Sequence, residues 1–307
     1  MKFKIFVISS IVFCSYGTGN AQTKNPESIL PGSHPFVTAY VEVNDNDFGN
    51  VGCYTYCRSG KQLFSIGNIF AANINADPVT GSPVLEFNPG VKAVLNSGKI
   101  AQLHSLGIKV LLDVLGNHQN AGWGCFTSYA QADSFAVQCA NSIREYDLDG
   151  IDIDDEYSAC TANDASLVLV VSALRGRIGY SKLITLVGYK NSTYFSAAYK
   201  GKRVGDLLDL VIEETYFSND YSGRLKPFIK AGVPKNKLAI GTHLEDNNQA
   251  AVAAYVKDNG LACVMVYGVT DNSKSKLSAI SEVLFNSTTG FKNNCINKEP
   301  FLFSNIY

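Results

Sequence analysis

The stretch YDLDGIDIDDEYSAC, Tyr146 to Cys160, places six carboxylates between Asp147 and Glu156 of a chain that is otherwise ordinary in charge. In a β-strand successive side chains alternate between faces, so Asp152, Asp154 and Glu156 share one face while Ile151, Ile153 and Asp155 share the other. Strict alternation of acids with isoleucine is not the pattern of a solvated acidic loop. A calcium loop is the sharper rival, because Glu145, Asp147, Asp149, Gly150 and Glu156 fall at positions 1, 3, 5, 6 and 12 of an EF-hand. Two features oppose it: Asp152 occupies the position that should be apolar, and the run from Gly150 onward has the period of a strand.

Similar runs recur along the chain. Strands are expected at residues 36–43, 66–73, 108–115, 150–156, 183–187, 207–216, 238–241 and 263–267, and helices at 91–106, 128–146, 162–178, 223–231, 247–258 and 274–285. Eight strands with intervening helices and no long linker predict an α/β fold, a single (β/α)8 TIM barrel with irregular early βα units; residues 44–65 read as loop and 193–206 as only faintly helical. No Gly-rich phosphate loop follows a strand, as an open doubly wound sheet would require. In the barrel, the acidic run becomes the fourth strand. Its isoleucines pack outward against helices, its acids point inward, and Glu156 stands highest at the C-terminal mouth.

Three inward carboxyls oppose one another's ionisation, since desolvation and like charge both favour the neutral form. Neighbours on one face lie roughly 6.6 Å apart at Cα, two strand rises, so adjacent carboxyls can approach within hydrogen-bond reach. A proton shared between Asp152 and Asp154, with a raised pKa on Glu156, would supply a general acid at neutral pH.

Composition bounds the alternatives. A formal net charge of −1 over 307 residues, 17% of them charged, argues against a nucleic-acid partner. The first residues, MKFKIFVISSIVFCSYGTGNAQ, have Lys2 and Lys4, an apolar run too short to span a bilayer, and small residues to Ala21, the pattern of a secretory signal peptide. The expected organisation is a signal peptide at 1–21, a leader at 22–35, the barrel at 36–287 and a C-terminal extension at 288–307. Export would make the protein secreted or periplasmic; Cys14 raises lipoprotein anchoring, against which stands the bulky Phe13. Seven cysteines then remain, an odd number. Cys53 and Cys57 could close a local disulfide loop, and no second close pair or histidine cluster completes a zinc site. No cofactor and no metal is called for.

The run Asp149-Gly-Ile-Asp152-Ile-Asp154-Asp-Glu156 resembles the D-x-x-D-x-D-x-E signature of glycoside hydrolase family 18, the chitinase family. AYVEVN (Ala39–Asn44), IFAANIN (Ile69–Asn75), GIKVLLDVLGNHQNAG (Gly107–Gly122) and LDGIDIDDEY (Leu148–Tyr157) are similar, in the same order, to segments of its endo-β-N-acetylglucosaminidase branch. The likeness is dense from about Thr38 to Tyr157. It implies hydrolysis of the β-1,4 bond between the two N-acetylglucosamines at the base of an N-linked glycan, by attack of the substrate's own acetamide oxygen and with retention of configuration. By matched position, Glu156 would protonate the leaving oxygen and later activate water, Asp154 would orient the acetamide, and Asp152 would hold Asp154; Asp149 would be structural. The implied partner is an N-linked glycan or glycoprotein, met by a monomer. Substrate contacts are expected from Tyr216 and Tyr267 at strand ends, from Asn117 and His118 after the third strand, and from Trp123 as a sugar-stacking face.

Three departures bear on substrate choice: Asp113 stands where the branch commonly has serine, Glu213 and Glu214 fall in a region where a member of the branch has asparagine and proline, and the family's eighth-strand tryptophan is absent. Two other functions fit the same fold. A non-catalytic glycan-binding protein would typically lack the acid that Glu156 supplies, and a chitinase would usually pave its groove with more aromatic platforms than one tryptophan allows.

Overall fold

Runs of valine, isoleucine and leucine broken by single polar residues form eight parallel strands in the computed structural model, which describes residues 30–32, 35–188, 193–293 and 295–296. The expected signal peptide, most of the leader and most of the C-terminal extension lie outside the described residues. We label the strands β1 (Phe36–Glu42), β2 (Ile66–Ala76), β3 (Lys109–Gly116), β4 (Gly150–Asp154), β5 (Leu183–Gly188), β6 (Leu210–Glu213), β7 (Leu238–His243) and β8 (Cys263–Tyr267). Each pairs in parallel with its sequence neighbours, and β1 pairs with both β2 and β8, so the sheet closes into the expected (β/α)8 barrel. Among the described residues, no helix is long and apolar enough to cross a membrane.

Alternation sorts the side chains as a barrel requires. Ile151 and Ile153 join a large apolar layer between sheet and helices, while Tyr40, Leu111, Val187, Leu210, Ile212 and Met265 fill the interior. The register places Asp113 beside Asp152 and Asp152 beside Thr185, so one interior layer is polar. Gly150 admits close strand packing: a Cβ there would stand 2.1 Å from the Leu183 carbonyl oxygen.

Several elements differ from expectation for local reasons. β4 ends at Asp154, two residues before Glu156, because the Glu156 carbonyl turns to accept from Gly116 N at 3.1 Å. β6 starts three residues later than expected, since residues 204–207 form a helical turn in which the Asp206 carboxylate accepts from Arg203 N; it ends at Glu213, whose carboxylate takes the Thr215 N–H at 3.1 Å. The helix expected over 91–106 is two, Pro89–Leu95 and Lys99–Ser105, separated at Gly98 with φ of +70°. The helix expected from 162 begins at Ser166, because Asn163 and Ser166 instead bind the loop backbone at Gly124, Phe126 and Trp123. The 44–65 segment holds a helical turn and a strand, Tyr54–Tyr56, which pairs with Thr289–Phe291, so the start of the C-terminal extension packs on the barrel.

The local Cys53–Cys57 loop does not form. The extended residues 54–56 carry Cys57 away, and the disulfides are Cys53–Cys295 and Cys125–Cys160. The EF-hand positions are likewise dispersed: Glu145 ends the helix Tyr129–Glu145, Gly150 is in β4, and one Asp149 oxygen already accepts from Val110 N and meets His104 Nε2, both at 2.8 Å.

Glu213 faces outward from β6 and is fully buried against Arg224 of the helix Tyr221–Lys230, whose guanidinium also donates to the carbonyls of Glu213 and Gly241 at 3.1 and 3.0 Å. Breaking such a pair strands a buried charge. Arg224→Met should therefore cost about 3–5 kcal/mol in denaturant unfolding, and adding Glu213→Leu should recover most of the loss; equal instability of the double variant would show that the pair acts only through packing.

Candidate active site

The β4 acids enter the barrel at successive heights. Asp152, fully buried, accepts from Tyr40 Oη at 2.7 Å and from the Thr185 hydroxyl. Its third partner is Asp113 of β3. Neither Asp113 oxygen has a conventional donor in reach, so the contact between the two carboxyls needs a proton, and Asp113 carries it: burial and the charges of Asp154 and Asp152 push Asp113 well above the carboxylate range. Asp152 is raised less, because the donors Asp113, Thr185 and Tyr40 offset its burial. The shared proton thus lies between Asp113 and Asp152, not between Asp152 and Asp154 as the strand pattern alone suggests.

Asp154, also buried, has one oxygen without a partner. Burial raises its pKa strongly, as do the neighbouring charges of Glu214 and Glu156. Glu156 follows on a turn, half-buried at the mouth, and its backbone is pinned to the end of β3. The pinning needs glycine at 116, where a Cβ would stand 2.3 Å from the Glu156 carbonyl oxygen. His118 N donates to the Tyr157 carbonyl at 2.6 Å, and the Cys125–Cys160 disulfide joins the same two loops. Asp155 points away from the cavity, accepts from Gly124 N at 3.2 Å, and is pushed up to about 6 by burial.

These acids open into a cavity of about 430 Å³ lined by Tyr40, Glu42, Phe70, Leu115, Asp154, Glu156, Tyr157, Val187, Glu214, Tyr216 and Tyr267. Seven of these eleven residues are aromatic or aliphatic, the other four are acids, and no lysine or arginine lines the cavity. Tyr216 and Tyr267 stand where expected, with ring centroids 6.0 Å apart. Asn117 and His118 sit exposed on the rim, outside the lining: Asn117 Nδ2 donates to Asn75 Oδ1 at 2.9 Å, and the His118 ring lies 5.1 Å from that of Tyr157. Trp123 is not a stacking face. It is wholly buried, its indole N–H donates to the Val114 carbonyl at 2.7 Å, and its ring meets Phe135 edge-on.

Glu214 is the residue the sequence reading left undecided. It follows β6 on the inward parity of Leu210 and Ile212, nearly buried, with one oxygen unpartnered and the other 3.5 Å from Tyr216 Oη. One oxygen from each of Asp154, Glu156 and Glu214 lies within 4.8 Å of the others. Such a trio has the donor chemistry of a divalent-cation site. Among the protein groups alone, burial, then the charges of Glu156 and Asp152, push Glu214 up to about 8, which favours its protonated form at neutral pH.

A family model described as glycosyl hydrolases family 18 matches residues 15–244. An endo-beta-N-acetylglucosaminidase of Flavobacterium sp. (strain SK1022) is 36% identical over 227 residues, 71% of this chain and 68% of that protein. The endo-beta-N-acetylglucosaminidase F1 of Elizabethkingia meningoseptica is 32% identical over 205 residues, 64% of this chain and 60% of the relative; the chain thus spans about three fifths of that relative's length. The crystal structure of Bacteroides thetaiotamicron EndoBT-3987 with a Man5GlcNAc product superposes with a TM-score of 0.72 at 24% identity, covering 88% of this chain and 66% of that one. A Rhizomucor miehei chitinase superposes at 0.57 with 17% identity, covering 80% of this chain and 99% of that one. These two structural likenesses speak to the barrel.

A carboxyl whose pKa is raised by folding contributes stability that is present below the unfolded value and lost as pH rises through the folded one. For Glu214 the window runs from its ordinary value near 4.5 to about 8. Glu214→Gln should flatten the fall in melting temperature between pH 5 and pH 9, leaving the variant on the order of 1–3 kcal/mol more stable than wild type at pH 9 and little changed at pH 5. Parallel curves for the two proteins would contradict a buried neutral Glu214.

Proposed function

The chain belongs to glycosyl hydrolases family 18, and from that premise we propose that it is an exported endo-β-N-acetylglucosaminidase cutting the GlcNAc-β-1,4-GlcNAc core bond of N-linked glycans. The observation that carries the reading is the pairing of a half-buried mouth acid, Glu156, with a buried carboxyl, Asp154, that lines the same cavity. The sequence relatives bearing that enzyme name supply the substrate class.

Glu156 is the general acid, protonating the leaving glycosidic oxygen, and then the general base that activates water. The 2-acetamido group of the reacting sugar is the nucleophile, its carbonyl oxygen attacking the anomeric carbon. Asp154 accepts the acetamide N–H, and as positive charge develops on the forming ring the ionised form of Asp154 is favoured. Asp152, fixed by Tyr40, Thr185 and the protonated Asp113, positions Asp154 from below. Tyr216 and Tyr267 bound the space for the N-acetyl group.

Two disulfides accord with an oxidising compartment, secreted or periplasmic, after removal of residues 1–21. The cavity is built from a single chain, which suits a monomer.

Incubating a high-mannose glycoprotein with the protein should leave one N-acetylglucosamine on asparagine, read by mass. Glu156→Gln should lower kcat on the order of 10³-fold, and Asp154→Asn on the order of 10²-fold. Cleavage of chitin oligosaccharides instead would make the protein a chitinase. Glycan binding with no cleavage of either substrate would make it a lectin-like member of the fold.

A further inference from the structure

The cavity does not end at its own lining. From Phe70 an unbroken series of rings leads outward: Tyr267 at 5.2 Å between centroids, His243 at 5.3 Å from Tyr267, and Phe217 at 5.7 Å from His243. Tyr216 flanks the same histidine at 5.7 Å. The last ring stands in solvent, Phe217 being 64% exposed.

A single exposed phenylalanine is unremarkable on a protein surface. Three features set this one apart. Its backbone is left-handed, with φ of +58°, a region costly for a residue carrying a Cβ. Its N–H is held by the Asp246 carboxylate at 3.1 Å, so the strained turn is secured from the next loop. The ring it faces is also fixed, because His243 Nδ1 accepts from Glu245 N at 3.0 Å and the His243 carbonyl accepts from Gln249 Nε2 at 2.9 Å. Strain held in place by a neighbouring loop marks ligand-binding positions more often than packing ones. The surface it holds here is apolar, rigid and continuous with the catalytic cavity.

Pyranose rings carry faces of axial C–H bonds that stack on aromatic rings, while their hydroxyls stay solvated at the edge. A platform open to water on one side and joined to a sugar cavity on the other fits that chemistry. We propose that Phe217, backed by His243, is a stacking subsite for a sugar of the glycan beyond the two core N-acetylglucosamines, so that it sets affinity for branched substrates. This rests on the function proposed above. Tyr157, 52% exposed with φ of +56° and its ring against His118, forms a similar aromatic–histidine pair on the opposite side of the mouth.

The test uses two substrates, a high-mannose glycopeptide and a chitobiosyl-asparagine peptide lacking mannose. Phe217→Ala should raise KM for the glycopeptide about five- to tenfold with kcat within about twofold, lowering the ratio of kcat/KM for branched over truncated substrate by the same factor, and Phe217→Trp should restore it. A melting temperature unchanged by the substitution keeps a folding defect from imitating the result. In parallel, calorimetry on Glu156→Gln with and without Phe217→Ala reads glycopeptide binding without turnover, and Kd should weaken by the same factor. If KM and Kd do not move, or if both substrates lose equally, the subsite is overturned. If binding depends on Phe217 while the wild type cuts neither substrate, the platform stands and the hydrolase reading falls.

Discussion

Everything at the mouth of this barrel depends on one constraint: five carboxyl groups, Asp113, Asp152, Asp154, Glu156 and Glu214, converge where no lysine or arginine lines the cavity. They cannot all ionise. The lowest pair resolves the conflict by sharing a proton, with Tyr40 and Thr185 donating to the member that keeps its charge. Above it Asp154 and Glu214 are both pushed toward the protonated form, Asp154 by burial and the charges of Glu214 and Glu156, Glu214 by burial and the charges of Glu156 and Asp152. That arrangement suits the proposed function, in which one carboxyl gives a proton and takes it back while another faces a developing cation.

The strands that make this possible were largely legible. Period-two alternation put Ile151 and Ile153 against the helices and Asp152 and Asp154 inside, and every barrel strand was found within a few residues. The same rule contained Glu214, since Leu210, Ile212, Glu214 and Tyr216 share one parity. It was left open because two adjacent acids, Glu213 and Glu214, stand there on opposite parities, and a one-residue shift in the resemblance leaves undecided which of them takes the matched position. The acid Glu156 was correctly assigned to the mouth but not to a turn, because the bond that ends β4 comes from Gly116, on another strand.

What alternation cannot carry is depth. Trp123 has the composition of a sugar platform and the location of a core residue, and only the approach of the Val114 carbonyl decides between them. Cysteine pairing is similar: Cys53 meets Cys295 across 242 residues, a choice made by the whole fold. The aromatic line from Phe70 to Phe217 draws on β2, β7, β8 and the loop after β6 and exists only once the barrel closes. The acidic strand could therefore be read locally, whereas the surfaces around the cavity mouth could not.

The central claim is that carboxyls on this strand act through the substrate's own acetamide and not through a water attacking directly. It is tested by following the anomeric proton of the newly released reducing sugar by NMR in the first minutes of hydrolysis of a high-mannose glycopeptide, before mutarotation. The account predicts that the β-anomer appears first, because two displacements at the anomeric carbon restore its configuration. Initial appearance of the α-anomer would mean a single displacement by water, with Asp154 or Glu214 as its base, and would contradict the mechanism.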